Sequence, residues 1–213
     1  MKQIILLIFI IFSYTNAYEF KLNKKDISYI KNSPDKTFIV NRLKKYQYLK
    51  KKIVNYELYR KLSHMNVFLN KIRSKLDVPS KGLGDHWATP KEFLIGGHGD
   101  CEDYVIAKYF SLLELGIKKE KLYFSVVDIK GQSQAHMVLL YLEDKSKTPL
   151  VLDNLSSKVL SLKIRKKLQP RFAFNEIDSY KLTNKGFTKK VNINWGKEDK
   201  WNRLLKRVYE KNE

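Results

Sequence analysis

The chain has 213 residues, 43% of them apolar, and a formal net charge of +20 at neutral pH. That length and composition suffice for one domain with a substantial core, and five prolines and nine glycines leave no flexible linker. The lysines are scattered, with aromatics interleaved as in any core, and no compact basic motif of a nucleic-acid module appears. Nucleic acid is therefore excluded as the partner, and a solvated lysine-rich surface accounts better for the charge.

Met1-Lys2 is a short positive start, and the apolar run from Ile4 to Phe12 is too short to span a bilayer. Thr15-Asn16-Ala17 then resembles a cleavage site, so residues 1–17 read as a signal peptide cleaved near Ala17. An uncleaved N-terminal anchor is the alternative. The mature chain, 18–213, reads as a single exported domain with no further apolar stretch for stable membrane insertion. Loss of Lys2 leaves it at +19.

Residues 37–76 lack glycine and proline, and Ile39, Leu43, Tyr46, Leu49, Ile53 and Tyr56 recur at helical spacing. They predict one long amphipathic helix or two in succession, ended by Pro79, Gly82 and Gly84. Residues 85–99 read as a loop containing Trp87-Ala88-Thr89-Pro90. From 101 to 115, Val105, Ile106, Tyr109, Phe110, Leu112 and Leu113 predict a helix, with Gly116 as its stop. Segments 122–129, 135–142 and 150–152 read as consecutive antiparallel strands, with turns at Lys130-Gly131 and 144–147. After Asn154 the pattern weakens into loop, short strands near 172–182 and 191–195, and a closing helix over 199–209. The fold class is α+β, with the helix at 101 packed on an antiparallel sheet.

Cys101 is the only cysteine. In an exported chain a lone thiol points to reactivity, although a buried small hydrophobe would look the same. A helix N-terminus stabilises a thiolate, and Cys101 has that placement. His64 belongs to the long helix, and His86 and His98 lie in the loop. His136 instead interrupts a strand apolar on both faces, where its ring needs a partner or serves as a satisfied core histidine. Asp153 ends the next apolar segment, where its carboxylate would orient an imidazole or simply open a turn.

A helix-start Cys, a strand His and an adjacent-strand Asp, in that order, resemble the bacterial transglutaminase-like cysteine proteases, and within them the LapG-type periplasmic adhesin proteases. The resemblance is carried by Trp87-Ala88-Thr89-Pro90, Gly99-Asp100-Cys101-Glu102-Asp103-Tyr104, Ala107-Lys108-Tyr109, Leu115-Gly116, Ala135-His136-Met137-Val138 and Leu152-Asp153-Asn154. It implies a papain-like, transglutaminase-type fold and a triad in which Cys101 attacks, His136 shuttles the proton and Asp153 orients the ring. It further implies periplasmic cleavage of the N-terminal region of a large surface adhesin, which controls biofilm attachment. An inner-membrane cyclic di-GMP receptor is implied as a sequestering regulator.

Asp100, Glu102 and Asp103 raise a thiol pKa and oppose the thiolate. Three carboxylates in four positions suit a hard cation, and the resemblance implies Ca2+ held by them; the alternative is that they only cap the helix and complement its dipole. A transglutaminase, a cell-wall peptidase with the same Cys-His pairing and a non-catalytic binding module remain open as other functions.

Overall fold

The chain is described by a computed structural model covering residues 18–75, 86–144, 146–193 and 199–209. The signal-peptide segment and the helix stop at Pro79, Gly82 and Gly84 lie outside the described residues.

Asn23 and Asp26 cap each other, each side chain accepting the other's backbone N–H at 2.8 Å, and so start helix α1 (Lys24–Asn32). The long apolar-periodic stretch is two helices, α2 (Lys36–Ile53) and α3 (Leu58–Leu69). Helix α3 ends earlier than the sequence pattern predicts. Tight turns at Lys71 and Ile72 divert the chain into strand β1 (Arg73–Ser74), which pairs in parallel with β2 (His98–Gly99); tertiary pairing overrides helix propensity there.

The 85–99 segment is not all loop. Thr89 Oγ1 accepts from the Glu92 N–H at 3.3 Å, and Glu92 Oε2 accepts from the Thr89 N–H at 2.7 Å. With Pro90 in the first turn, this capping box starts helix α4 (Pro90–Gly96), closed by Gly97 at φ +70°.

Helix α5 (Cys101–Glu114) is buried at every position from Asp103 to Leu112, as befits a central element. The Tyr46 hydroxyl meets Ser111 Oγ at 2.7 Å, and Lys50 pairs with Glu114 at 2.7 Å, which fixes α2 against its outer end. Against α5 lies a seven-stranded sheet of order β6-β5-β4-β3-β7-β8-β9, antiparallel throughout. The expected strands are β3 (Leu122–Ile129), β4 (Ala135–Tyr141) and β5 (Leu150–Asp153).

The region beyond Asn154 is richer in strands than the sequence suggests, with β6 (Ser156–Ser161), β7 (Leu168–Phe174), β8 (Ser179–Thr183) and β9 (Gly186–Lys190). The lysines that blur its pattern line outward faces. No strand forms over 191–193, and Asn194 and Trp195 lie outside the described residues. Helix α6 (Lys200–Tyr209) closes the chain, Trp201 lying edge-on to Phe124 and Phe174 at 4.8 and 5.5 Å. The sheet is buried on both sides: Phe124, Met137, Leu139 and Leu152 join the helical core, while Tyr123, Val127, Val138, Leu140 and Val151 form a second cluster with Phe187. Among the described residues no helix is long and apolar enough to cross a membrane.

Gly99 sets the entry of the chain into α5. A Cβ there would stand 2.6 Å from Asp103 Oδ2 and 2.8 Å from Phe93 Cδ2, and Asp103 is pinned by backbone donors. Gly99→Ala is expected to cost about 1–3 kcal/mol by overpacking. A melting temperature equal to wild type in a thermal scan would show that the turn yields freely.

Candidate active site

Cys101 opens α5, behind the cap residue Asp100. Asp103, 4% exposed, accepts the Ala88 N–H at 2.7 Å on Oδ1 and the Asp100 N–H at 3.3 Å on Oδ2, tying the first turn of the helix to the Trp87–Thr89 segment. The Cys101 thiol donates to Glu102 Oε2 at 2.8 Å, and the Met137 backbone N–H donates to the sulfur. The sulfur thus sits one residue along β4 from His136.

Burial pushes the Cys101 thiol up, and the charge of Glu102 and the hydrogen bond it accepts push it further. The Met137 N–H opposes the rise and Asp100 adds to it, leaving the thiol well above its ordinary value. The helix N-terminus does not by itself make a thiolate here.

His136 is 7% exposed and Asp153 0%, and the two meet through Nε2 and Oδ1 at 2.9 Å. With Nε2–H donated to the carboxylate, Nδ1 is the ring nitrogen left for proton exchange. Burial alone would raise the Asp153 carboxyl. The His136 hydrogen bond and charge, the Leu155 N–H and Arg165 outweigh it and bring the group down to about 2. The other histidines stay apart from this pair: His64 is exposed against Tyr56, His86 faces Glu92 and Arg207, and His98 is exposed on β2.

Several residues around the pair escape sequence reasoning. Arg165, in the turn after β6, donates to Asp153 Oδ2. Asn70, the residue that caps the end of α3, donates to the Asp153 backbone carbonyl at 2.8 Å, and Asn66, one turn earlier, donates to the Ser156 carbonyl at 2.8 Å. Lys108 of α5 is completely buried and feels the Asp153 charge. Arg165 sits among Lys163, Lys166 and Lys167 and carries no distinguishing pattern, but Lys108 is the one charged residue between Tyr104 and Leu113, a signal available in the sequence.

The carboxylates next to Cys101 divide into two roles. Asp103 is occupied by backbone donors, whereas Asp100 and Glu102 both bear on the same thiol. Among the described residues no three His, Cys, Asp or Glu side chains are grouped to hold a metal ion. The donor chemistry fits a hard cation held by Asp100 and Glu102, with backbone oxygens and water filling the coordination.

The family profile described as bacterial transglutaminase-like cysteine proteinase matches residues 41–166, more than half of the chain. Among solved structures, calcium-bound Legionella pneumophila LapG matches at 28% identity and TM-score 0.69, covering 86% of this chain and 97% of that one. L. pneumophila LapG matches at 27% and 0.71, covering 91% and 100%, and the EGTA-treated form at 27% and 0.71, covering 90% and 100%. This chain therefore has the transglutaminase-like fold. No match is found among curated proteins.

The low Asp153 pKa makes stability depend on acid. A carboxyl ordinarily at 3.8 and at about 2 in the folded chain contributes above pH 4, by about 2 kcal/mol, and that contribution is lost as pH falls towards 2. Arg165→Met removes one of the groups that lower it. The acid-unfolding midpoint, followed by circular dichroism, should then move to higher pH, with a loss of about 3 kcal/mol at neutral pH. Coincident acid transitions would mean that Arg165 contributes nothing to Asp153.

Proposed function

Because the chain belongs to the bacterial transglutaminase-like cysteine proteinases, we propose that it is a calcium-dependent periplasmic endopeptidase that cuts the N-terminal region of a large surface adhesin and so controls biofilm attachment. The observation that carries the catalytic part is the buried His136–Asp153 pair, 2.9 Å apart, with the Cys101 sulfur on the neighbouring Met137 N–H. The likeness to LapG supports a calcium-binding cysteine protease; the adhesin substrate, and an inner-membrane cyclic di-GMP receptor as the sequestering partner, are carried over from the resemblance of the sequence motifs. The outer face of α2 suits acidic partners: the helix holds seven basic and no acidic residues, with exposed Tyr48 set among Lys44, Lys45, Lys51 and Lys52.

Cys101 attacks the scissile carbonyl carbon as His136 Nδ1 takes the thiol proton, forming the S–C bond of a tetrahedral intermediate. His136 then gives that proton to the leaving amine as the C–N bond breaks, and water hydrolyses the resulting thioester with His136 as base. Asp153 keeps Nε2–H engaged, which fixes the tautomer and orientation of the ring throughout. Asp103 holds the first turn of α5 to Ala88 and so positions Cys101. Asp100 and Glu102 would hold Ca2+, whose positive charge offsets the carboxylates beside the thiol.

The test is incubation of residues 18–213 with the N-terminal region of a large adhesin encoded nearby. Cys101→Ala should abolish cleavage without loss of fold, His136→Ala should be nearly as severe, and Asp153→Ala should retain a trace. Full activity in Cys101→Ala would end the cysteine-protease reading, and product transfer to an added amine in place of water would make the enzyme a transglutaminase.

Calcium dependence has its own outcome. EGTA should suppress cleavage reversibly, magnesium should rescue poorly because it sheds water reluctantly, and Asp100→Ala or Glu102→Ala should mimic the chelator. If these carboxylates only cap the helix, each change costs about 1 kcal/mol of stability and activity is indifferent to EGTA.

A further inference from the structure

Helix α5 carries an ionisable group that the mechanism above does not use. Lys108 follows Cys101 by seven residues, two helical turns, so both lie on one face of α5. Its side chain is 0% exposed, and its Nζ has no hydrogen-bond partner among the described residues. The Tyr104 ring, with its centroid 5.8 Å from Nζ, gives a weak cation–π contact. An ammonium buried without an acceptor costs several kcal/mol, and a Met or Leu would fill the space at no such cost. Packing therefore does not explain a lysine here.

The charge that acts on Lys108 is Asp153. Burial drives the amine down to about 7, and Asp153 works against that fall. The surrounding groups are Tyr104 from α5, Asp153 from β5 and, on the Asp153 oxygens, His136 from β4 and Arg165 from the turn after β6. Helix α3 and its cap supply Asn66 and Asn70, which do not titrate. For Asp153 the bonded His136 and Arg165 dominate, and Lys108 is a third, unbonded cation contributed by a different element.

We propose that Lys108 is a positioning residue for Asp153, a buried countercharge that keeps the carboxylate ionised and aimed at His136 while the imidazole gains and loses its proton. Arg165 holds the carboxylate from the turn after β6, and Lys108 adds its charge from α5. The proposal rests on the proteolytic reading and deepens it. The hold exists while Lys108 is protonated and fades as pH rises through about 7.

The experiment measures kcat, KM and melting temperature of wild type and Lys108→Met from about pH 6 to about pH 9. The variant should show kcat about ten-fold lower at the acidic end with KM unchanged, the two enzymes converging at the alkaline end. Its melting temperature should exceed that of wild type at the acidic end. There the native state carries the buried charge at full cost, and the gap should close as pH rises, because above about 7 the folded chain binds fewer protons than the unfolded one. An activity ratio that does not change with pH, or an unchanged kcat, overturns the proposal. Lys108→Gln repeats the measurement if the Met variant does not fold. If wild type cleaves nothing, the proteolytic reading fails by itself, and the Asp153 carboxyl 13C resonance decides on Lys108. Titration at higher pH in Lys108→Met supports the countercharge, and an unmoved titration sinks it.

Discussion

A single buried carboxylate organises this molecule. Asp153 is inaccessible to water, and its oxygens take His136 from β4, the Leu155 N–H of its own turn and Arg165 from the turn after β6. Its backbone carbonyl takes Asn70 from the end of α3, and Lys108 brings a charge from α5. Without these partners a buried carboxylate would cost several kcal/mol and would protonate. Helix layer, sheet and connecting turn must therefore all be assembled before Asp153 is satisfied, and once it is satisfied the His136 ring has only one orientation that keeps its Nε2 bonded.

Asp103 does for the start of α5 at Cys101 what Asp153 does for the His136 ring. Its two oxygens bind backbone donors on either side of a sequence gap, Ala88 and Asp100, so the start of α5 cannot move independently of the segment leading into α4. That segment is fastened in turn by Arg207 of α6, which donates to Glu92 at 2.7 Å and to the Trp87 carbonyl. Gly99 is needed because this fastening leaves no room for a Cβ. The far C-terminal helix thus bears on the geometry at Cys101 through contacts that are individually ordinary.

The core of the site was legible because its residues contradict their surroundings: a lone cysteine at a helix start, a histidine within an apolar strand, an aspartate closing the next. Strands β3, β4 and β5 were legible because both their faces are buried and their runs are continuous. Helix α4 is hidden in the sequence because Pro90 and the flanking glycines read as breakers, although Thr89-x-x-Glu92 with Pro at the first position is a start signal. The early end of α3 and strands β6 to β9 depend on tertiary pairing, which leaves a weak local pattern when the outward faces are lysine-rich. Arg165 and Asn70 act through contacts 12 and 83 residues away in sequence, a relation no local motif expresses. In the sequence Asp103 reads with its neighbours as one acidic cluster; only the fold separates the carboxylate that bonds backbone from the two that crowd the thiol.

The electrostatics at Cys101 are a contest with a definite winner. The helix N-terminus contributes about 0.3–1 kcal/mol towards an anion, and the Met137 N–H about 1.5–3 kcal/mol as a hydrogen bond to a charged group. Against them stand the burial of the sulfur and a carboxylate at 2.8 Å, where like charges repel by more than about 4 kcal/mol at an effective dielectric of 20. The proton stays on sulfur, shared with Glu102. A thiol built this way stays protonated while Glu102 faces it, and it ionises more readily when that carboxylate is drawn aside or its charge is offset. The Asp-Cys-Glu order thus makes ionisation of the thiol depend on the local charge, with the helix start and the His136–Asp153 pair already in place.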